Sequence, residues 1–274
     1  MLRECVALDA GFVPDLSNSP SLRPLEANSE FRDLLAQSRR SYAPVHKAHV
    51  AFTVPAKDLF PEGLAVDASR GLFYMGSMHR KKIVEFTLTG RVSDSVRQDI
   101  YDLSPIGGIH VDPVDHSVCA STDAGAKQRP ELLHFDVQGK LLERYASPGT
   151  MAYDLNDLVL RGPREIFTTD TEGHRVYRFD RFLHTFAEVM FWRPVFYPNG
   201  IMLSRDCNLL FVADMLGVIR LDLRTNESAD VDPGAHNTLS GVDGLYRYND
   251  ELLGVQYGTG EYRVMRWKLS PDGR

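Results

Sequence analysis

The chain has only three cysteines in 274 residues, Cys5, Cys119 and Cys207. Odd in number and widely spaced, they make neither a disulfide framework nor a thiolate zinc cluster, so buried, inert thiols are expected. A basic surface is lacking too. Lys plus Arg number 31 against 37 Asp plus Glu, a net charge of −6 with no long basic run, which argues against nucleic-acid or anionic-membrane partners. The first twenty residues hold no apolar run long enough for a secretory signal, and nothing later approaches a membrane span. A soluble chain is expected, cytoplasmic by default, with a secreted or periplasmic location open if a signal lies upstream. Two catalytic signatures are missing as well. No Gly pair sits in strand-to-helix context with the Lys of a phosphate cradle, and no G-x-S-x-G elbow occurs. Neither a nucleotide loop nor a serine nucleophile is therefore supported.

What is present is a repeat. Five segments share a polar or Gly-bearing turn, an alternating apolar strand, a second turn and further strands. They begin "FPEGLAVDASRGLFYMGS" at Phe60, "PIGGIHVDPVDHSVCAST" at Pro105, "LNDLVLRGPREIFTTD" at Leu155, "YPNGIMLSRDCNLLFVAD" at Tyr197 and "VDGLYRYNDELLGVQ" at Val242. Aligned, Glu62, Gly107, Asn156, Asn199 and Asp243 share one column, separated by 45, 49, 43 and 44 residues. A period in the forties with several short strands per unit is the signature of an all-β, β-propeller fold, whose blades bury their faces only by packing around an axis. Residues 1–45 differ, rich in Pro, Ser and charge with one helical stretch, "SEFRDLLAQSRR", and read as an N-terminal extension to a propeller over 46–274. The segment from Lys47 to Pro55 alternates like an edge strand.

The first strand of each blade lines the channel, so the column forms a ring there. Four of its members carry side-chain oxygens: Glu62, Asn156, Asn199 and Asp243. Two carboxylates offset a divalent charge and two amides complete the shell without excess repulsion. Calcium suits ligands drawn from separate blades because it tolerates irregular geometry, and another divalent cation remains an option. Turn chemistry alone would explain any one of these tripeptides. Four acceptors in one column favour a metal. The loops after the second strands rim this site, bringing His79, Lys127 and His174 near it, with the two histidines as proton carriers. His110 reads as a packed core histidine, and Phe191 and Trp192 read either as core or as pocket walls.

At these residues the sequence resembles the senescence marker protein/gluconolactonase superfamily, six-bladed propellers that include paraoxonase-type arylesterases. Asn199 in "PNGI", Asp243 in "VDGL", Glu62 in "PEGLAVD" and Asn156 in "LNDL" match that superfamily's axial ligands, and "LNDLVLRGPREIFTTD" looks like the paraoxonase branch. Asp154 stands where the gluconolactonase branch has an Arg, and Gly107 where the paraoxonase branch has a His. The resemblance implies calcium-dependent hydrolysis of a small-molecule lactone or related ester, with Asp243 as general base and His174 as the second candidate. The alternative is a non-catalytic propeller with a structural metal, binding a protein or small molecule at its rim. A six-fold ring also leaves one blade unaccounted for. Only five column positions occur, so either a gap between the fifth and first blades or a contracted five-bladed closure is expected, with Val264, Met265 and Trp267 on the uncovered flank.

Overall fold

Alternation of period two within each repeat gives strands, and Gly, Asp and Asn between them give the turns that reverse the chain. In the computed structural model, which describes residues 3, 20–41, 48–96, 98–124, 129–148, 154–235, 237–257 and 262–270, these strands form five antiparallel sheets. Blade one is β1 (Pro61–Asp67), β2 (Leu72–Ser77), β3 (Lys82–Thr87) and β4 (Val92–Val96). Blade two is β5 (Ile106–Val111), β6 (Val118–Thr122), β7 (Glu131–Phe135) and β8 (Leu141–Ala146). Blade three is β9 (Leu155–Arg161), β10 (Glu165–Asp170), β11 (Arg175–Asp180) and β12 (Thr185–Glu188). Blade four is β13 (Ile201–Leu203), β14 (Leu209–Asp214), β15 (Gly217–Asp222) and β16 (Ser228–Asp230). Among the described residues blade five has three strands: β17 (Val242–Tyr248), β18 (Glu251–Gln256) and β19 (Arg263–Lys268). This is a five-bladed propeller arrangement. Five blades are recognisable in the sequence, and no sixth sheet is found among the described residues.

Four apolar clusters fill the four interfaces between successive blades. Tyr74 and Ile83 meet Ile106 and Phe135 between blades one and two. Cys119 and Leu132 meet Leu158 and Phe179 between two and three. Phe167 and Val176 meet Leu210 and Ile219 between three and four. Phe211 and Val218 meet Leu245 and Trp267 between four and five. No fifth cluster joins blades five and one among the described residues. Their facing sheets instead leave Leu64 (42 %), Val66 (50 %) and Val264 (67 %) exposed. Among the described residues the ring is open there, as the expected gap requires.

Two details of that expectation are corrected. Met265 and Trp267 are not on the uncovered flank; alternation along β19 turns them toward blade four, and only Val264 faces the opening. Of the segment Lys47–Pro55, the described part 48–55 is not a strand, because no described residue pairs with its backbone. Its alternation reflects packing: the Phe52 ring rests 5.3 Å from Phe86 and 6.3 Å from Phe73, against the open side of blade one. The N-terminal helix (Ser29–Ser41) forms where "SEFRDLLAQSRR" places it, capped by Asn28, whose Oδ1 accepts the Phe31 N–H at 3.2 Å. It buries Phe31, Leu35 and Ser38 on one face. No helix among the described residues is long and apolar enough to cross a membrane. Cys119 is buried, and burial pushes its thiol up to about 12, the inert behaviour expected. Cys207 is only half-buried, and Cys5 lies outside the described residues.

The inner strands approach too closely for side chains at certain positions. A Cβ on Gly63 would lie 2.5 Å from the Gly107 carbonyl oxygen, and one on Gly200 would lie 2.4 Å from that of Asp243. Gly200→Ala is therefore expected to destabilise the protein by about 1–3 kcal/mol through overpacking of rigid backbone. Urea unfolding would measure this. Gly71→Ala makes a poor control because of its positive φ, whereas Ala68→Ser on the exposed turn should change little.

Candidate functional site at the channel mouth

Four of the five inner strands enter their sheets through an irregularity at the aligned column, while that of blade four pairs without one. The register slips between Pro61 and Leu64, between Ile106 and Ile109, between Val242 and Leu245, and opposite Thr168–Asp170 in blade three. A bulge leaves a residue unpaired and re-aims its side chain, so Glu62, Asn156 and Asp243 leave the alternation of their strands. Hydroxyls from the second strands hold the arrangement across blade boundaries. Ser121 Oγ donates to the Asn156 carbonyl at 2.8 Å, and Thr169 Oγ1 donates to the Asn199 carbonyl at 2.8 Å.

The result is one cavity of about 210 Å³ lined by Glu62, Asn156, Asp157, Asn199 and Asp243, together with Gly63, Gly108, Gly244 and Tyr246. All four sequence candidates for metal ligation thus share a cavity. Gly107 lies on the ring but supplies no donor side chain. Asn199 Nδ2 donates to Asp243 Oδ1, and among the described residues no protein donor reaches Asn199 Oδ1. Tyr246 of blade five shares this cavity with Glu62 and Gly63 of blade one, across the open side of the ring.

Asp157 was missed by sequence reasoning, although it stands beside Asn156 in "LNDL". Its signal was visible: the corresponding positions in the other repeats, Gly63, Gly108, Gly200 and Gly244, are all glycine. Asp157 Oδ1 accepts the Leu158 N–H at 2.8 Å and Oδ2 accepts the Ile201 N–H at 3.2 Å. Burial, partly offset by these bonds and reinforced by the charges of Glu62 and Asp243, pushes its carboxyl up to about 7. Glu62 is raised by burial and then by Asp243; Asp243 is raised by burial and eased by Asn199. No basic side chain lines the cavity. Three carboxylates therefore line one cavity without a cation from the described residues.

A second cavity, of about 370 Å³, shares Asn199 and Asp243 with the first and opens the site outward between Thr171, Tyr197, Met215, Ser240 and Tyr257. Tyr197 and Phe60 stand two positions before the ring in "YPNG" and "FPEG", both with left-handed backbone (φ 48° and 47°) and both exposed at the mouth.

His174 lies beside this opening but lines neither cavity. Its Nδ1 accepts the Tyr197 N–H at 3.1 Å and its ring abuts that of Tyr197, 4.4 Å between centroids. His79 sits in a separate exposed groove with Phe60 and Met78. Lys127 lies outside the described residues. His110 is half-buried on the inner strand of blade two rather than fully in the core, and the burial of its ring lowers it to about 4 despite Asp112. Phe191 packs into the core between blades three and four, whereas Trp192 is exposed and walls no cavity described here. Asp154, in the position that the resemblance assigns to a sugar contact, accepts the Glu172 N–H at 3.2 Å and is raised by burial to about 6.

Among solved structures the chain is similar to the nidogen/laminin complex, at a TM-score of 0.63 and 15 % identity over 77 % of each chain. It is also similar to a streptogramin B lyase, at 0.55 and 18 % identity over 81 % of this chain and 74 % of that one. A catalytically inactive histidine-to-alanine virginiamycin B lyase from Staphylococcus aureus with quinupristin gives 0.57 and 14 % identity, covering 81 % and 74 %. Neither a protein-family model nor a curated protein matches the chain. At these identities the likeness establishes a β-propeller.

The metal assignment meets one restriction. Among the described residues no group of three or more His, Cys, Asp and Glu side chains is gathered as a ready metal site. The donor chemistry nevertheless fits a hard cation, being wholly oxygen, acidic and lacking a counter-charge. A raised carboxyl makes a pH prediction. Between the ordinary Asp value of 3.8 and about 7, the folded state holds a proton on Asp157 that the unfolded state has released. This contribution makes cation-free protein less stable as pH rises through that window. Asp157→Asn should remove that slope, at a pH-independent cost of about 1 kcal/mol for the lost acceptor at Ile201. Thermal unfolding of both proteins in chelator from pH 4 to 8 would check it; parallel curves would exclude Asp157 as the source.

Proposed function

We propose that the protein is a calcium-dependent hydrolase of lactones or related esters, working at the channel mouth. The observation that carries this reading is the convergence of Glu62, Asn156, Asn199 and Asp243 on one cavity that opens into a larger, partly aromatic one through Asn199 and Asp243. The four side chains would hold the cation, with Asp157 behind them. When bound, it supplies Lewis-acid polarisation of a carbonyl and stabilises developing negative charge. Asp243 sits at the junction of the two cavities, where its raised proton affinity suits acceptance of a proton from water. His174, the second candidate base, is held by the Tyr197 backbone beside the opening and would serve only a substrate that extends over the rim. Tyr197, Met215 and Tyr257 offer apolar surface to the body of an ester. The gluconolactonase/paraoxonase likeness of the ligand motifs supports this chemistry.

The rival reading is a scaffold whose channel cation is structural and whose rim binds a partner. It is favoured by the absence of His, Lys or Arg from the walls of both cavities and by the exposed Phe196, Met215 and Leu216 at the mouth.

Hydrolysis of a panel of lactones and aryl esters, with calcium or chelator, separates the two. The hydrolase reading expects calcium-dependent turnover and a loss of about 10²–10⁴-fold in Asp243→Asn, with the circular dichroism spectrum unchanged. Wild-type rates in Asp243→Asn would remove Asp243 as the base. Calcium binding by calorimetry without turnover of any ester would favour the scaffold.

A further inference from the structure

The first strands of blades four and five run away from the channel mouth, and the turns at their far ends flank a second site. One turn joins β13 to β14, the other β17 to β18. Between them lies a crevice of about 790 Å³. Its apolar wall is made by Met202, Leu209 and Phe211 of blade four and by Leu269, which follows β19. Met202 and Phe211 are buried in the cluster that joins the two blades, whereas Leu209 and Leu269 are only partly covered. A concave apolar surface of this size, bordered by a few polar groups, has the character of a small-molecule site.

The polar border is richer in uncommitted cations than in uncommitted acids. Arg205 and Arg247 both line the crevice, are exposed, and pair with no acid among the described residues. Arg247 Nη1 donates to the neutral Asn249 carbonyl at 3.2 Å, which leaves its charge uncompensated. The lining acids are mostly engaged. Asp206 commits both oxygens within its own turn, Oδ1 to Ser204 Oγ at 2.6 Å and to the Asn208 N–H at 3.2 Å, Oδ2 to Asn208 Nδ2 at 2.7 Å. Glu251 meets Arg266 at 3.2 Å. Asp250, exposed at the tip of its turn, is the remaining acid.

A third arginine stands on the same face of blade four, one strand further out. Arg220 on β15 lies opposite Phe211 of the crevice wall and, on its other side, opposite Ala229. Neither neighbour carries charge. Its Nε is buried with no acceptor, and no acid pairs with it among the described residues. A buried donor without a partner is costly, so this arginine adds positive charge to the wall that nothing in the described chain offsets.

We propose that this crevice binds a small organic anion with an apolar body, such as an aryl- or alkyl-substituted carboxylate. The body lies against Met202, Leu209, Phe211 and Leu269, and the head group turns toward Arg205 and Arg247. Guanidinium groups suit this role because their planar forks donate two parallel bonds to a carboxylate. Arg220 raises the potential at the wall from behind. The site is separate from the channel and does not depend on the chemistry assigned there.

The test uses calorimetry on the full chain in chelator, with probes that contain no ester: phenylbutyrate, its neutral amide, and phenylbutylamine. Phenylbutyrate is expected to bind saturably at one site, and the amide and the amine to bind about tenfold more weakly or less. Arg205→Gln with Arg247→Gln, both at exposed positions, is expected to weaken phenylbutyrate binding by about tenfold with the circular dichroism spectrum retained. Arg220→Met, which removes a partly buried charge, is expected to weaken it by about threefold. No saturable binding of phenylbutyrate would overturn the proposal. So would equal affinity for the amide or the amine, or undiminished affinity in the Arg205/Arg247 variant, since the anion would then not be selected by this border.

Discussion

Backbone contact between neighbouring inner strands is the constraint on which the other features of this propeller rest. Where Gly63 meets Gly107, Gly108 meets Asp157 and Gly200 meets Asp243, a methyl group would come within 2.4–2.5 Å of an oxygen. Such proximity lets Gly200 N–H reach the Asp243 carbonyl at 2.7 Å, a main-chain bond between blades. It also pulls the bulged residues of separate sheets into one small cavity. A ring of ordinary side chains at the glycine positions would push the strands apart, and the four oxygen-bearing residues would no longer share a space.

Electrostatics sets the site's acids apart from the chain's fully buried ones. Asp214, more deeply buried than any of them, is met by Arg193 at 2.6 Å and by backbone N–H groups of Phe196, Leu216 and Gly217. Glu62, Asp157 and Asp243 have no basic partner among the residues lining their cavity, and each is held above its ordinary range. Burial of like charges is unfavourable unless something offsets it. Protons do so in acid; a bound cation would do so near neutrality. The chain thus spends stability at its axis and recovers it in the four apolar interfaces, where Phe167 and Phe211 are almost wholly enclosed.

The open side of the ring concentrates the remaining unsatisfied surface. Blade one turns Leu64 and Val66 toward it and blade five turns Val255 and Val264, all exposed, while Phe52 covers part of blade one from the preceding segment. Tyr246 lines the same cavity as Glu62 and Gly63 of blade one, so the donor ring is gathered close to the axis even where the outer sheets do not meet. Stability of the channel and completeness of the rim are separable in this architecture, because packing is confined to neighbouring blades.

The five-fold recurrence, the strand pattern and the column of Glu62, Asn156, Asn199 and Asp243 were legible in the sequence, because a repeat must encode each blade's alternation and turn locally. The glycines beside that column were equally plain, yet the exception among them, Asp157, gained meaning only once its neighbours in space were known. Likewise, Val264, Met265 and Trp267 were expected together on the uncovered flank, and only the stacking of the sheets showed that Met265 and Trp267 face blade four. The residues 48–55 illustrate the limit from the other side: their alternating pattern satisfies packing against Phe73 and Phe86 as well as it would satisfy a strand. Sequence by itself therefore determined the propeller repeat and its candidate donors, since both follow from local periodicity. Tertiary structure alone decided that the ring stays open, that His174 stands off the cavity and that three carboxylates share it, since each depends on distances between blades that no single repeat contains.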